Sequence, residues 1–150
     1  MKILAQNRRA RHDYFIEQKI EAGMVLYGTE VKAIRMGRIQ LAEAFVDLRN
    51  FEAWLVGSHV GEYPHAKFFV HEATRDRKLL LHSEEIRKLS RRVREKGYTL
   101  VPLDIHLSPK GLIKLTIGVA KGKKQIDKRE TIKKRDQERE IRREMNKRNS

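Results

Sequence analysis

Two runs between residues 101 and 119 constrain this chain more than any other feature. In VPLDIHL, residues 101–107, the apolar side chains fall at 101, 103, 105 and 107. In IKLTIGV, residues 113–119, they fall at 113, 115, 117 and 119. A period of two predicts two half-buried strands. Between them, Ser108-Pro109-Lys110-Gly111 supplies a proline that sets φ and a glycine that permits a positive one. The unit predicts an antiparallel hairpin, and on this alternation His106 points outward.

Further strands are expected around Tyr14 and Ile16, over Met24–Tyr27, over Ala44–Leu48 and over Ala53–Val56. Their short spacing fits a small antiparallel sheet or barrel. Two helices interrupt them. The longer, from Ser83 to Gly97, opens on an N-cap serine and two acids and closes on Arg94, Lys96 and a glycine, which suits the macrodipole at both ends. Ile86, Leu89 and Val93 form its narrow apolar stripe, and Arg87, Lys88, Arg91, Arg92 and Arg94 occupy the rest. The shorter runs from Thr29 to Gly37, again between a capping residue and a glycine. The fold class is mainly β, with two or three helices on the rim.

Charge divides the chain. It carries 34 Lys and Arg against 20 Asp and Glu, a net of +14. Residues 121–150 hold 13 and 6 of these, so one fifth of the length carries half the excess. Ile126, Ile132, Ile141 and Met145 are the only sizeable apolar residues there, too few to offset the entropy of ordering the segment alone. The expected division is a folded body over 1–120 and a basic tail over 121–150 that takes shape on a polyanion. A body of that size buries one adequate core. Both parts are basic, which points to nucleic acid or an anionic membrane surface. Membrane is the weaker option, because no run approaches the roughly 20 apolar residues of a spanning helix. The N-terminus has too short an apolar stretch for a secretory signal, and the tail lacks the aromatic and leucine face of an interfacial helix. With no cysteine there is no disulfide framework and no thiolate metal site, and a reducing cytoplasm fits.

Catalytic signatures are weak. Histidines 12, 59, 65, 71, 82 and 106 show no HExxH spacing and read as surface or RNA-facing imidazoles. Neither a P-loop nor a GxSxG elbow is present. Carboxylates such as Glu30, Asp47 and Asp104 are the kind that a metal-dependent nuclease uses, but scattered acids occur in every soluble protein. No enzyme activity and no cofactor are expected.

The basic loop Arg75-Asp76-Arg77-Lys78 running into Leu79-Leu80-Leu81-His82 is more specific. It reads either as a phosphate-binding lip or as a solvated turn leading into buried leucines, and composition leaves the two even. His82, Tyr63 and Phe68 are of a type that stacks on unpaired bases. Lys32 and Arg35, three apart, share one exposed side of the shorter helix, which reads equally as a plain surface helix.

Six stretches then combine: NRRARHDYF at 7–15, EAG at 21–23, GTEVKAIRMG at 28–37, RDRKLLLH at 75–82, GYTLVPL at 97–103 and AKGKKQIDKR at 120–129. In this order they closely resemble the SsrA-binding protein (small protein B) family, partners of transfer-messenger RNA in bacterial ribosome rescue. The resemblance implies an OB-like antiparallel β-barrel with flanking helices. It implies a non-enzymatic cytoplasmic protein that binds the tRNA-like domain of transfer-messenger RNA and brings it to a stalled 70S ribosome. Its tail, loose in solution, would become helical in the empty mRNA channel. The family's RNA contacts fall on Glu30, Leu80 and His82, beside the Lys32, Arg35, Arg75, Arg77 and Lys78 already singled out. Its tail motif falls on Asp127-Lys128-Arg129, and Lys121, Lys123 and Lys124 are expected to bind the ribosome beside it as cations of the tail. Ile126 departs from the family, standing where many members carry His or Tyr, and isoleucine does not stack as an aromatic does. The rival reading is a basic structural RNA binder of the ribosomal-protein type. Neither reading calls for an oligomer, so a monomer is expected.

Overall fold

The computed structural model describes residues 2–66, 70–95 and 97–123. In chain order the elements are β1 (Lys2–Gln6), α1 (Arg8–Asp13), β2 (Tyr14–Met24), α2 (Gly28–Arg35), β3 (Ile39–Gln40) and β4 (Phe45–Arg49), followed by β5 (Glu52–Val56), β6 (His59–Val60), β7 (Arg77–Leu80), α3 (Ser83–Arg94), β8 (Tyr98–Leu107) and β9 (Ile113–Gly122). Seven strands form one antiparallel sheet in the order β1-β8-β9-β2-β7-β5-β4, and β3 pairs with β6 in a separate ribbon.

The expected OB-like barrel does not close. Strand β4 comes close to β8, so the sheet curls. However, β1 pairs only with Asp104–Leu107 on that edge of β8, and no ladder joins β4 to the rest of it. The observed architecture is therefore a large curled antiparallel sheet with three helices among the described residues.

The β8–β9 hairpin forms as expected. In its turn the Gly111 amide donates to the Ser108 carbonyl (2.9 Å) and the Leu112 amide to Ser108 Oγ (3.1 Å). Gly111 takes the positive φ (+81°) that the turn demands. Strict alternation, by contrast, fails in β8. A bulge between Pro102 and Asp104 reverses its phase. Leu100 and Ile105 enter the large core, whereas Val101 and Leu103 join Ala10 and Ala120 in a smaller cluster on the other face. Leu103 lies over Gly118, whose added Cβ would stand 3.0 Å from a Leu103 methyl. His106, expected outside, is only 2% exposed. As part of an inner strand it has neighbours on both sides, and Asp104 and Glu21 hold its two ring nitrogens, each at 2.8 Å.

Other expectations shift by a few residues. Met24 ends β2, and Val25–Tyr27 is a connection rather than a strand. The expected capping residues Thr29 and Ser83 lie inside their helices; Tyr27 and His82 hold the N-cap positions instead. In each case a glutamate three residues on, Glu30 or Glu85, accepts the cap amide's hydrogen bond (2.8 and 3.0 Å). Helix α1 was not expected. Its signal is Asn7, a buried N-cap whose Oδ1 accepts from the Ala10 amide while Nδ2 donates to the carbonyls of Leu41 and Pro102. Strand β9 runs through Gly122, two residues past the expected boundary of the body.

Candidate nucleic-acid interface

Glu30 and Arg77 are the centre of this region, and both are buried at 0% exposure. Glu30 Oε2 accepts from Arg77 Nε (2.5 Å), and Glu30 Oε1 accepts from Arg75 Nη2 (2.5 Å) and from the Tyr27 amide. Arg77 uses its other donors on Ser58 Oγ and on the carbonyls of Glu72, Ala73 and Arg75. Burial favours the neutral form of Glu30, but the hydrogen bonds from Arg75, Tyr27 and Arg77 outweigh it and hold the carboxyl below its ordinary range. Burial also pulls the Arg77 guanidinium down, although an arginine starts high enough to remain charged.

This arrangement corrects two expectations. Glu30 and Arg77 were expected at an RNA surface, yet neither side chain reaches solvent. The reason is mutual: a buried carboxylate needs a cation, and a buried guanidinium needs several acceptors. They are positioning residues that set α2 and β7 against each other and hold the 72–75 loop. Arg75, half-buried, completes the cluster and lies over the Tyr27 ring at 4.4 Å.

The lip that faces outward is built from other residues. Leu80 is 53% exposed at the end of β7, and His82 is exposed at the N-cap of α3. Gly23 pairs with Leu80 across β2 and β7, giving a low floor. Around it, Arg35, Leu80, Leu112 and Lys114 line one end of a shallow groove, and His82 and Lys114 the other. Arg35 also donates to the Gly111 carbonyl at 3.1 Å, which ties α2 to the β8–β9 turn. The remaining candidates lie apart from this groove. Lys32 sits over the Tyr63 ring at 5.2 Å, and Lys78 pairs with Glu52 at 3.2 Å.

Sequence reasoning missed Lys114 and Leu112 as groove residues, because nothing in the alternation of β9 marks which polar residue meets β7. It also treated His71 and His106 as surface groups. His71 is buried, with Nε2 donating to the carbonyls of Val60 and Gly61 and Nδ1 hydrogen-bonded to the Thr29 hydroxyl (2.9 Å). Of the tail candidates, Lys121 lies in β9 over the Tyr98 ring (4.6 Å), and Lys123 over Phe15 (5.2 Å). Lys124, Ile126, Asp127, Lys128 and Arg129, and the stacking candidate Phe68, lie outside the described residues. No helix among the described residues is long and apolar enough to cross a membrane.

Comparison with known proteins decides the family. Residues 4–147 match the family described as SmpB protein. This chain belongs to the SmpB protein family. An SsrA-binding protein of Coprothermobacter proteolyticus is 53% identical over 145 residues, covering 96% of this chain and 97% of the relative. The SsrA-binding protein of Levilactobacillus brevis is 51% identical over 143 residues, 95% of this chain and 90% of the relative. Among solved structures, a chain from one described as "tmRNA-SmpB: a journey to the center of the bacterial ribosome" superposes with a TM-score of 0.67. It is 41% identical, covering 79% of this chain and 83% of that one.

Proposed function

We propose that this chain is a non-enzymatic rescue factor of trans-translation. It binds the tRNA-like domain of transfer-messenger RNA and carries that RNA to stalled ribosomes in the cytoplasm. The observation that carries this reading is family membership over nearly the whole length, with relatives named for binding SsrA. The geometry supports it. The rim of the curled antiparallel sheet offers exposed Leu80 and His82 beside Arg35 and Lys114. Cations there neutralise phosphates, and the apolar and imidazole groups pack on unstacked bases. Glu30 and Arg77 act beneath, as the frame. The basic segment after β9 enters the mRNA channel when it is empty.

Equilibrium binding tests the reading. The full chain is expected to prefer transfer-messenger RNA over an ordinary tRNA of similar length, and Leu80→Ala with His82→Ala is expected to remove that preference. Equal, weak, salt-labile binding to both RNAs would count against it.

A further inference from the structure

The turn joining β4 and β5 presents an aromatic ring where chain geometry least favours one. Arg49 pairs with Glu52, so Asn50 and Phe51 are the two turn residues, with φ of +49° and +64°. Positive φ at both central positions is the pattern of a type I′ hairpin, in which glycine is the usual second residue. A phenylalanine there is disfavoured by its Cβ, and the residue is 54% exposed, so burial does not compensate. Nothing in the packing of the hairpin accounts for it.

The surroundings give the ring a chemistry. The register of β5 with β7, Ala53 opposite Leu79, carries Phe51 to the end of β7, where α3 begins. Arg87 of α3 stands 5.9 Å from the ring centroid. Lys88, Arg91 and Arg94 recur every three residues with Arg87 adjacent to the first; all four are exposed and form no ion pair with any described residue. They therefore make one unneutralised cationic stripe that starts beside the ring. An exposed π-face next to a row of free cations complements one class of ligand: an unpaired nucleobase with its adjoining phosphates.

We infer that Phe51 and the Arg87–Arg94 stripe form a second RNA site, in which the ring stacks on an unpaired base and the stripe follows the backbone. The inference rests on the RNA-binding reading and goes beyond it, since Phe51 and the four cations line no part of the Leu80–His82 groove, although the two meet at the junction of β7 and α3. The base belongs to transfer-messenger RNA or to ribosomal RNA, which share this chemistry.

The test uses the full chain and three probes: a single-stranded RNA of roughly 12 nucleotides, transfer-messenger RNA, and 70S ribosomes. Phe51→Gly removes the ring and suits the backbone, so its Tm is expected to hold or rise. Its affinity for the short RNA is expected to fall roughly five- to hundredfold, as loss of one base stack gives, and Phe51→Trp is expected to restore it. Replacing all four stripe cations by Gln is expected to lower the slope of log K against log salt by about 3. Whichever large partner loses affinity with Phe51→Gly supplies the base. Unchanged binding of Phe51→Gly to all three probes, a Phe51→Trp variant as weak as Phe51→Gly, or an unaltered salt slope would each overturn the site. The short RNA reads the site without either large partner, so failure of the rescue reading shows separately, as loss of discrimination by the wild-type chain.

Discussion

Glu30 sits where charge and shape cannot be separated. Changing it to Gln keeps an acceptor for the Tyr27 amide and Arg75, but turns an amide N–H₂ toward the Arg77 Nε–H. Donor then faces donor, and Arg77 loses its counter-ion. Removing one partner of a buried pair costs about 3–5 kcal/mol, so Glu30→Gln is expected to lower the urea midpoint by that equivalent. RNA binding by the fraction that remains folded should weaken without a change in salt slope, because no phosphate contact is removed. A lower slope would instead put Glu30 in the interface's own electrostatics. His106 makes a different prediction. Burial disfavours its charged form, but Glu21 and Asp104 outweigh that and raise its pKa above 6.5. A raised histidine contributes stability that is fully present below the unfolded pKa and is lost as pH climbs through the folded one. The unfolding midpoint should therefore decline from pH 6 upward through that range, and His106→Gln should flatten the decline. Identical pH profiles for the two proteins would refute the assignment.

At the scale of elements, the β8–β9 hairpin was legible because three local signals agree: alternation, a Pro–Gly turn and length. What escaped was the bulge at Pro102, which sends Val101 and Leu103 to one face and Ile105 to the other. A bulge leaves no trace in hydropathy when both faces are buried. The same limit hid Glu30. Its position in GTEVK suggests a first-turn surface acid, and only the arrival of Arg77, 47 residues later, makes burial tolerable. Leu80 and His82 were singled out because their motif is distinctive, not because exposure was readable. The small cluster behind the bulge depends on Gly118 having no side chain. Gly118→Val pushes against Leu103, and overpacking of this kind costs about 1–3 kcal/mol, measurable as a shift in thermal midpoint. A neutral result would mean that the hairpin slides to make room.

For the molecule as a whole, charge sets residues 121–150 apart from the body, and strand β9 runs two residues into that segment. Lys121 and Gly122 belong to β9, paired with Phe15 and Tyr14, so a clean truncation begins at Lys124. Deleting residues 124–150 is expected to leave binding of the tRNA-like domain largely intact and to abolish peptide tagging on stalled ribosomes. Loss of RNA binding on the same deletion would show that the division of labour is wrong. Arg77 has a consequence at this scale too. One guanidinium joins β7, α2 through Glu30, Ser58 after β5, and the 72–75 loop. A partly assembled chain that lacks any one of these leaves a desolvated cation with an unmatched N–H, so intermediates of that kind are scarcely populated. The four segments are thereby coupled into one cooperative closure, and amide exchange in the loop should report the same opening free energy as exchange in the sheet it is fastened to.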